Sequence, residues 1–197
     1  MNLVIIKWKK KIVIFISGNG TNALNIISQF RDSDEILVAK VYSNNKNSHF
    51  FKSQNSIKID TSFFSNDQLS SSVFKELKII DPDLIVLAGF LKKIPTIYID
   101  YFKNKIINIH PSILPSYGGK GMYGSKIHNK VIENNEIETG ITIHYVSDQY
   151  DSGEIIFQKK ITIQENDTPK SIEEKIHILE YEYYPKVIQS ILIKWVS

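Results

Sequence analysis

Ile12-Val13-Ile14-Phe15-Ile16-Ser17-Gly18-Asn19-Gly20-Thr21-Asn22-Ala23 is the stretch that decides the fold. Its apolar run reads as a strand buried on both faces. Two glycines break the run, and an amphipathic pattern over 21–30 then reads as a helix. A strand feeding a helix through a glycine turn opens a βαβ unit. The free amides at such a helix start, with the helix dipole behind them, favour a phosphate. Gly18, Gly20 and Ala23 also match G-x-G-x-x-A, the dinucleotide fingerprint. That fingerprint wants an acidic residue about 20 positions on, at the end of the second strand. This chain has Tyr42-Ser43-Asn44-Asn45-Lys46 there. NAD is therefore disfavoured; NADP, with its 2′-phosphate near Lys46, stays open, and so does a turn that merely connects strand to helix.

Outward from this turn the alternation continues. Apolar runs over 36–42, 57–59, 84–87, 106–109, 141–146 and 155–163 read as strands, and patterns over 66–80, 95–101, 125–133 and 169–195 as helices. The expected fold is a single Rossmann-like α/β domain with a mostly parallel sheet and helices on both faces. The last two strands have no helix between them, so some antiparallel pairing is expected late in the chain. The domain is expected over 11–197, behind a basic leader over 1–10. The one long irregular stretch runs over 110–124, and loops of that length in a compact domain are usually functional.

Composition removes several chemistries. A chain of 197 residues fits one domain, and 42% hydrophobic residues suffice for a buried core. Without cysteine there is no disulfide, iron–sulfur cluster, cysteine-ligated zinc or thiol nucleophile. Basic residues number 24 against 21 acidic, and Arg31 is the only arginine. Base and phosphate readout favours arginine forks, which argues against a nucleic-acid partner. Lys7, Lys9, Lys10 and Lys11 precede an apolar stretch shorter than the roughly 7–15 residues of an export signal. No apolar run approaches the ~18 residues of a membrane helix. The expectation is a soluble, cytoplasmic protein without membrane association; its oligomeric state is not legible.

Two further segments carry chemistry. In Asn108-Ile109-His110-Pro111-Ser112-Ile113-Leu114-Pro115, Asn108 and His110 alternate at the end of a strand and share one face. The carboxyl ends of parallel strands are where open α/β sheets place ligands. An amide and an imidazole fixed there could donate to a developing oxyanion. Thr142 and His144 alternate on a later strand, and the following loop carries Asp148 and Asp151. A carboxylate set against His110 would favour the imidazolium and steer its tautomer, although Asp151-Ser152-Gly153 also reads as an ordinary turn. No tight ligand motif joins these groups, so no metal is expected.

Together with Leu87-Ala88-Gly89-Phe90-Leu91, these motifs in this order resemble the phosphoribosylglycinamide formyltransferase family, folate-dependent enzymes of purine synthesis. The resemblance implies transfer of the formyl group of 10-formyltetrahydrofolate, as co-substrate, to the amine of glycinamide ribonucleotide. It implies that Gly20, Thr21 and Asn22 cradle the substrate phosphate and that Glu180 holds its ribose. Leu91, Lys92, Lys93 and Ile94 would line the folate site, and Asn108 would help bind the donor. Asn108 and His110 would stabilise the tetrahedral intermediate with Asp151 as the histidine's partner, and Thr142 and His144 would support them. The departures are a glycine-rich loop over 117–124, longer than is typical, and lysine at Lys92 where arginine is familiar. A 10-formyltetrahydrofolate hydrolase, a sugar-nucleotide formyltransferase and, more remotely, an NADP-binding oxidoreductase remain as alternatives. Small molecules are the only partners implied.

Overall fold

Along β1 (Lys10–Ile16) every second side chain points to the opposite face of the sheet. Ile12, Ile14 and Ile16 enter one core, while Val13 and Phe15 enter the other. This is why the run is apolar without interruption: both faces are covered. The computed structural model describes residues 8–52 and 58–193. Within them lie α1 (Thr21–Phe30), β2 (Ile36–Ser43), α2 (His49–Lys52) and β3 (Thr61–Phe63). A composite helix α3 follows, made of Asn66–Gln68, a π-helical turn Leu69–Val73, and Phe74–Ile80. The chain continues with β4 (Leu84–Leu87), α4 (Thr96–Tyr101), β5 (Ile106–His110), α5 (Ser125–Glu133), β6 (Glu138–Tyr145), β7 (Ile155–Thr162) and α6 (Pro169–Leu192).

The strands form one sheet in the order β3-β2-β1-β4-β5-β6-β7. The pairs from β3 to β5 are parallel; β5–β6 and β6–β7 are antiparallel, as expected from the missing helix. The order reverses between β1 and β4, so their carboxyl ends flank a crevice of the kind that binds ligands in open α/β sheets. On one face α1 and α6 pack Ile26, Ile27, Ile172, Ile176 and Ile188 onto the sheet. On the other, Leu69, Val73, Phe74 and Leu77 of α3 and Tyr98 of α4 do the same. Each fully buried aliphatic or aromatic side chain contributes about 1.5–3 kcal/mol.

Four sequence expectations shift. The strand expected over 57–59 is not there: Lys58 has a left-handed φ of 52°, which breaks an extended run, and β3 forms later, where Thr61, Ser62 and Phe63 pair with β2. Residue 57 itself lies outside the described residues. The helix expected over 66–80 is interrupted by the π-helical turn, within which Ser71 Oγ donates back to Asp67 O at 2.9 Å. The last helix ends at Leu192, with Ile193 in an extended conformation, and the expected extension over 194–195 lies outside the described residues. Strand β1 starts at Lys10, inside the stretch read as leader.

Candidate active site

The cleft at the carboxyl ends of β1, β4 and β5 has a volume of about 580 Å³. The β1–α1 turn forms one side. Gly20 caps α1 with φ 75°, and a Cβ there would stand 2.8 Å from Phe50 Cδ2, so only glycine fits. Ser48 Oγ donates to Gly18 O at 2.6 Å and holds the turn from α2's side. The first amides of α1 have no acceptor within the helix and border the cleft. The Asn22 side chain does not reach out with them. It is buried, and its Nδ2 donates to Glu180 Oε2 at 2.8 Å.

Helix α6 supplies the facing wall. Pro185 lacks the N–H that would bond Tyr181 O, and Asn25 Nδ2 of α1 takes that carbonyl instead at 2.9 Å. Glu180 is thereby brought beside the glycine turn, where its Oε2 also meets His177 Nδ1 at 2.9 Å. That hydrogen bond raises the pKa of His177 against the opposing effect of its burial. His128 of α5 is buried with Nδ1 unpartnered, and burial lowers its pKa. Asn22 Oδ1 is likewise buried and unpartnered. His128, Glu173 and His177 all line this end of the cleft. Sequence reasoning missed all three, though Glu173, His177 and Glu180 stand at the 4- and 3-residue spacing of one helix face.

At the other end, Asn108 and His110 leave β5 on one face and sit opposite His144 and Thr142 of β6. Asn108 Nδ2 lies 3.2 Å from His144 Nε2, and His144 Nδ1 lies 2.8 Å from Tyr145 O. A carbonyl only accepts, so Nδ1 carries the proton and Nε2 accepts from the amide. Burial lowers the pKa of His144, which keeps it neutral; its 3.8 Å approach to Asp151 Oδ1 is then a contact, not an ion pair. His110 Nε2 lies 2.8 Å from Tyr117 O, and its Nδ1 lies 3.5 Å from Asp151 Oδ1. Asp151 is itself held by the Gly119 N–H, which donates to Oδ2 at 2.8 Å. Gly153 allows this turn: a Cβ there would fall 1.7 Å from Tyr145 O.

Thr142 is wholly buried outside the cleft. Its Oγ1 donates to Ser112 O at 2.7 Å and accepts from Leu114 N at 3.0 Å, so it anchors the segment that leaves His110. Leu91 and Lys92 border the main cleft. Lys93 and Ile94 do not; with Lys92, Asn108 and His144 they line an adjoining pocket of about 60 Å³. Lys120, Met122 and Tyr123 of the glycine-rich loop line the cleft, as does Tyr150. Lys46, considered above for a 2′-phosphate, lies 4.8 Å over the Phe63 ring. Among the described residues no group of three or more acidic, histidine or cysteine side chains could hold a metal ion. No helix among them is long and apolar enough to cross a membrane.

Residues 10–188 match the family model described as "Formyl transferase". The chain is 32% identical over 190 residues to the phosphoribosylglycinamide formyltransferase of Bacillus subtilis, covering 93% of this chain and 95% of that protein. It is 34% identical to the chloroplastic phosphoribosylglycinamide formyltransferase of Arabidopsis thaliana, covering 95% of this chain and 68% of that one. Among solved structures, the phosphoribosylglycinamide formyltransferase of Anaplasma phagocytophilum superposes with a TM-score of 0.85 at 29% identity, covering 94% of this chain and 87% of that one.

Proposed function

The chain belongs to the formyl transferase family, within its phosphoribosylglycinamide formyltransferase branch, and from that premise we propose how its own residues divide the reaction. The family draws on a folate-derived formyl donor; we take it here to be 10-formyltetrahydrofolate, with the amine of glycinamide ribonucleotide as acceptor. The observation that carries the reading is the pair of donors at the end of β5, each fixed by a partner of its own. Asn108 is held by neutral His144, and His110 lies between Tyr117 O and Asp151.

As the amine attacks the formyl carbon, negative charge develops on the formyl oxygen. Asn108 has a second amide proton beyond the one on His144. With His110 Nε2 bonded to Tyr117 O, Nδ1 is the nitrogen left to carry a proton toward that oxygen. Asp151 Oδ1 faces the same nitrogen at 3.5 Å, placed to accept from an N–H there. The intermediate collapses with departure of the tetrahydrofolate nitrogen, which needs a proton, while the attacking amine loses one. Asp151 would relay these protons through water. Donors held in advance stabilise such charge without reorganisation when it appears.

The ribonucleotide end fits the glycine turn. The Gly20, Thr21 and Asn22 backbone and the α1 dipole face an anion, and Glu180, oriented by Asn22 and His177, receives ribose hydroxyls. Leu91 and Lys92 border the donor's part of the cleft, with Lys93 and Ile94 on its side pocket. The reading keeps the partners to small molecules, needs no metal, and places the protein in the cytoplasm. Purified protein given 10-formyltetrahydrofolate should consume it only when glycinamide ribonucleotide is present. Consumption without the ribonucleotide would make the protein a hydrolase, and no consumption with either would overturn the reading.

A further inference from the structure

Tyr117 stands in the loop between β5 and α5 and does not line the cleft, yet its two oxygens are committed to three hydrogen bonds. Its carbonyl accepts from His110 Nε2 at 2.8 Å. Its hydroxyl donates to Glu136 Oε1 at 2.6 Å and accepts from Asn134 Nδ2 at 2.7 Å. Its φ is 58°, a left-handed conformation that non-glycine residues adopt infrequently. Two residues on, the Gly119 N–H holds Asp151 Oδ2. Between them a Cβ at Gly118 would stand 2.7 Å from Leu114 Cδ2 and 3.3 Å from Asp151 Cβ, so the backbone must pass here bare. One three-residue stretch therefore touches both His110 and Asp151, and its outer end is tied to the turn that follows α5.

We propose that Tyr117 is a positioning residue for His110: tethered by its hydroxyl to Asn134 and Glu136, it presents a main-chain carbonyl that holds one proton on Nε2, so that a second proton taken up by the ring sits on Nδ1, the nitrogen that faces Asp151 and serves the substrate. A carbonyl has no proton to give, so the bond persists only in the Nε2–H tautomer or the imidazolium. The loss of the tether frees the carbonyl to move and lets the neutral ring sample the other tautomer, in which a bare Nε2 no longer anchors the ring on Tyr117 O and the single proton on Nδ1 is taken by Asp151. The left-handed backbone at Tyr117 is the conformation that aims carbonyl and phenol in their two directions at once. The assignment of Nδ1 to the substrate rests on the formyl-transfer reading; the tautomer assignment does not.

The test separates the two. Histidine-15N-labelled protein is read by long-range nitrogen–proton correlation, with His110 assigned among the five histidines by loss of its signals in His110→Ala. Wild type should show His110 protonated at Nε2 in its neutral form. Tyr117→Phe, which keeps the ring and removes the tether, should show a mixture of tautomers, with kcat about 5–20-fold lower and KM for the ribonucleotide within about twofold. Glu136→Gln keeps an acceptor oxygen at the same reach and should lose less turnover than Glu136→Ala. An unchanged tautomer in Tyr117→Phe overturns the proposal, whether turnover falls with thermal stability or stays as it was. If wild type transfers no formyl group, the functional reading fails while the tautomer spectra still decide the role of Tyr117.

Discussion

His110 and Asn108, the donors we propose for the reaction, retain little freedom. Each is buried or half-buried, and each spends one polar atom on a fixed protein partner, which in the proposed reaction leaves another for the substrate. His110→Ala should lower kcat by about 10²–10³, the cost typical of losing one donor to an oxyanion. Ribonucleotide binding, which we assign to α1 and α6, should stay within about twofold when measured by calorimetry. A loss of binding with normal turnover in the bound complex would refute the role of His110. Two of the buried polar atoms without a partner, His128 Nδ1 and Asn22 Oδ1, belong to the opposite end of the cleft, where an unpaired buried polar atom costs about 1–3 kcal/mol until something meets it.

The elements matter through their ends. The β1–α1 turn depends on Gly20, whose positive φ and 2.8 Å approach to Phe50 leave no place for a side chain. Gly20→Ala should cost about 1–3 kcal/mol in urea unfolding and raise KM for the ribonucleotide more than it lowers kcat. The exit from β5 depends on Thr142, which ties Ser112 and Leu114 to β6 while Gln158 Nε2 of β7 donates to its hydroxyl at 3.0 Å. Thr142→Val removes the oxygen and leaves the Leu114 N–H without its acceptor. We expect a loss of about 1–3 kcal/mol, with turnover reduced because the released segment begins next to His110. Full stability with low activity would instead mark Thr142 as a residue acting at the site alone.

For the whole molecule the histidines set the response to acid. His128 and His144 are each 2% exposed, and burial lowers both below the ordinary 6.5. Below about pH 6.5 the unfolded chain therefore takes up protons that the folded one refuses, and stability falls as the pH drops. His177 has the opposite sign: its raised pKa stabilises the fold below 6.5, and that contribution disappears as the pH rises through the folded value. Its side chain is 43% exposed, so solvent weakens its ion pair, and the two buried rings should prevail. The urea midpoint should accordingly be lower at pH 5 than at pH 7.5, and His177→Gln should deepen the difference.

Much of this molecule was legible in the linear chain because its rules are local. Apolar runs of strand length, glycines at the β1–α1 turn and the missing helix before β7 specify the parallel sheet and its antiparallel end. The alternation of Asn108 with His110, and of Thr142 with His144, specifies which side chains share a face. What alternation cannot convey is register and long-range contact. Only the β5–β6 pairing sets His144 against Asn108 and Thr142 against His110. Only the packing of α6 on α1 brings Glu180 to Asn22, 158 positions away. The Tyr117 carbonyl lies only 7 positions from His110, yet residue spacing does not show the loop turning back to meet the ring. A residue's type and spacing state what chemistry it offers; the partners that aim it exist only once the sheet has closed.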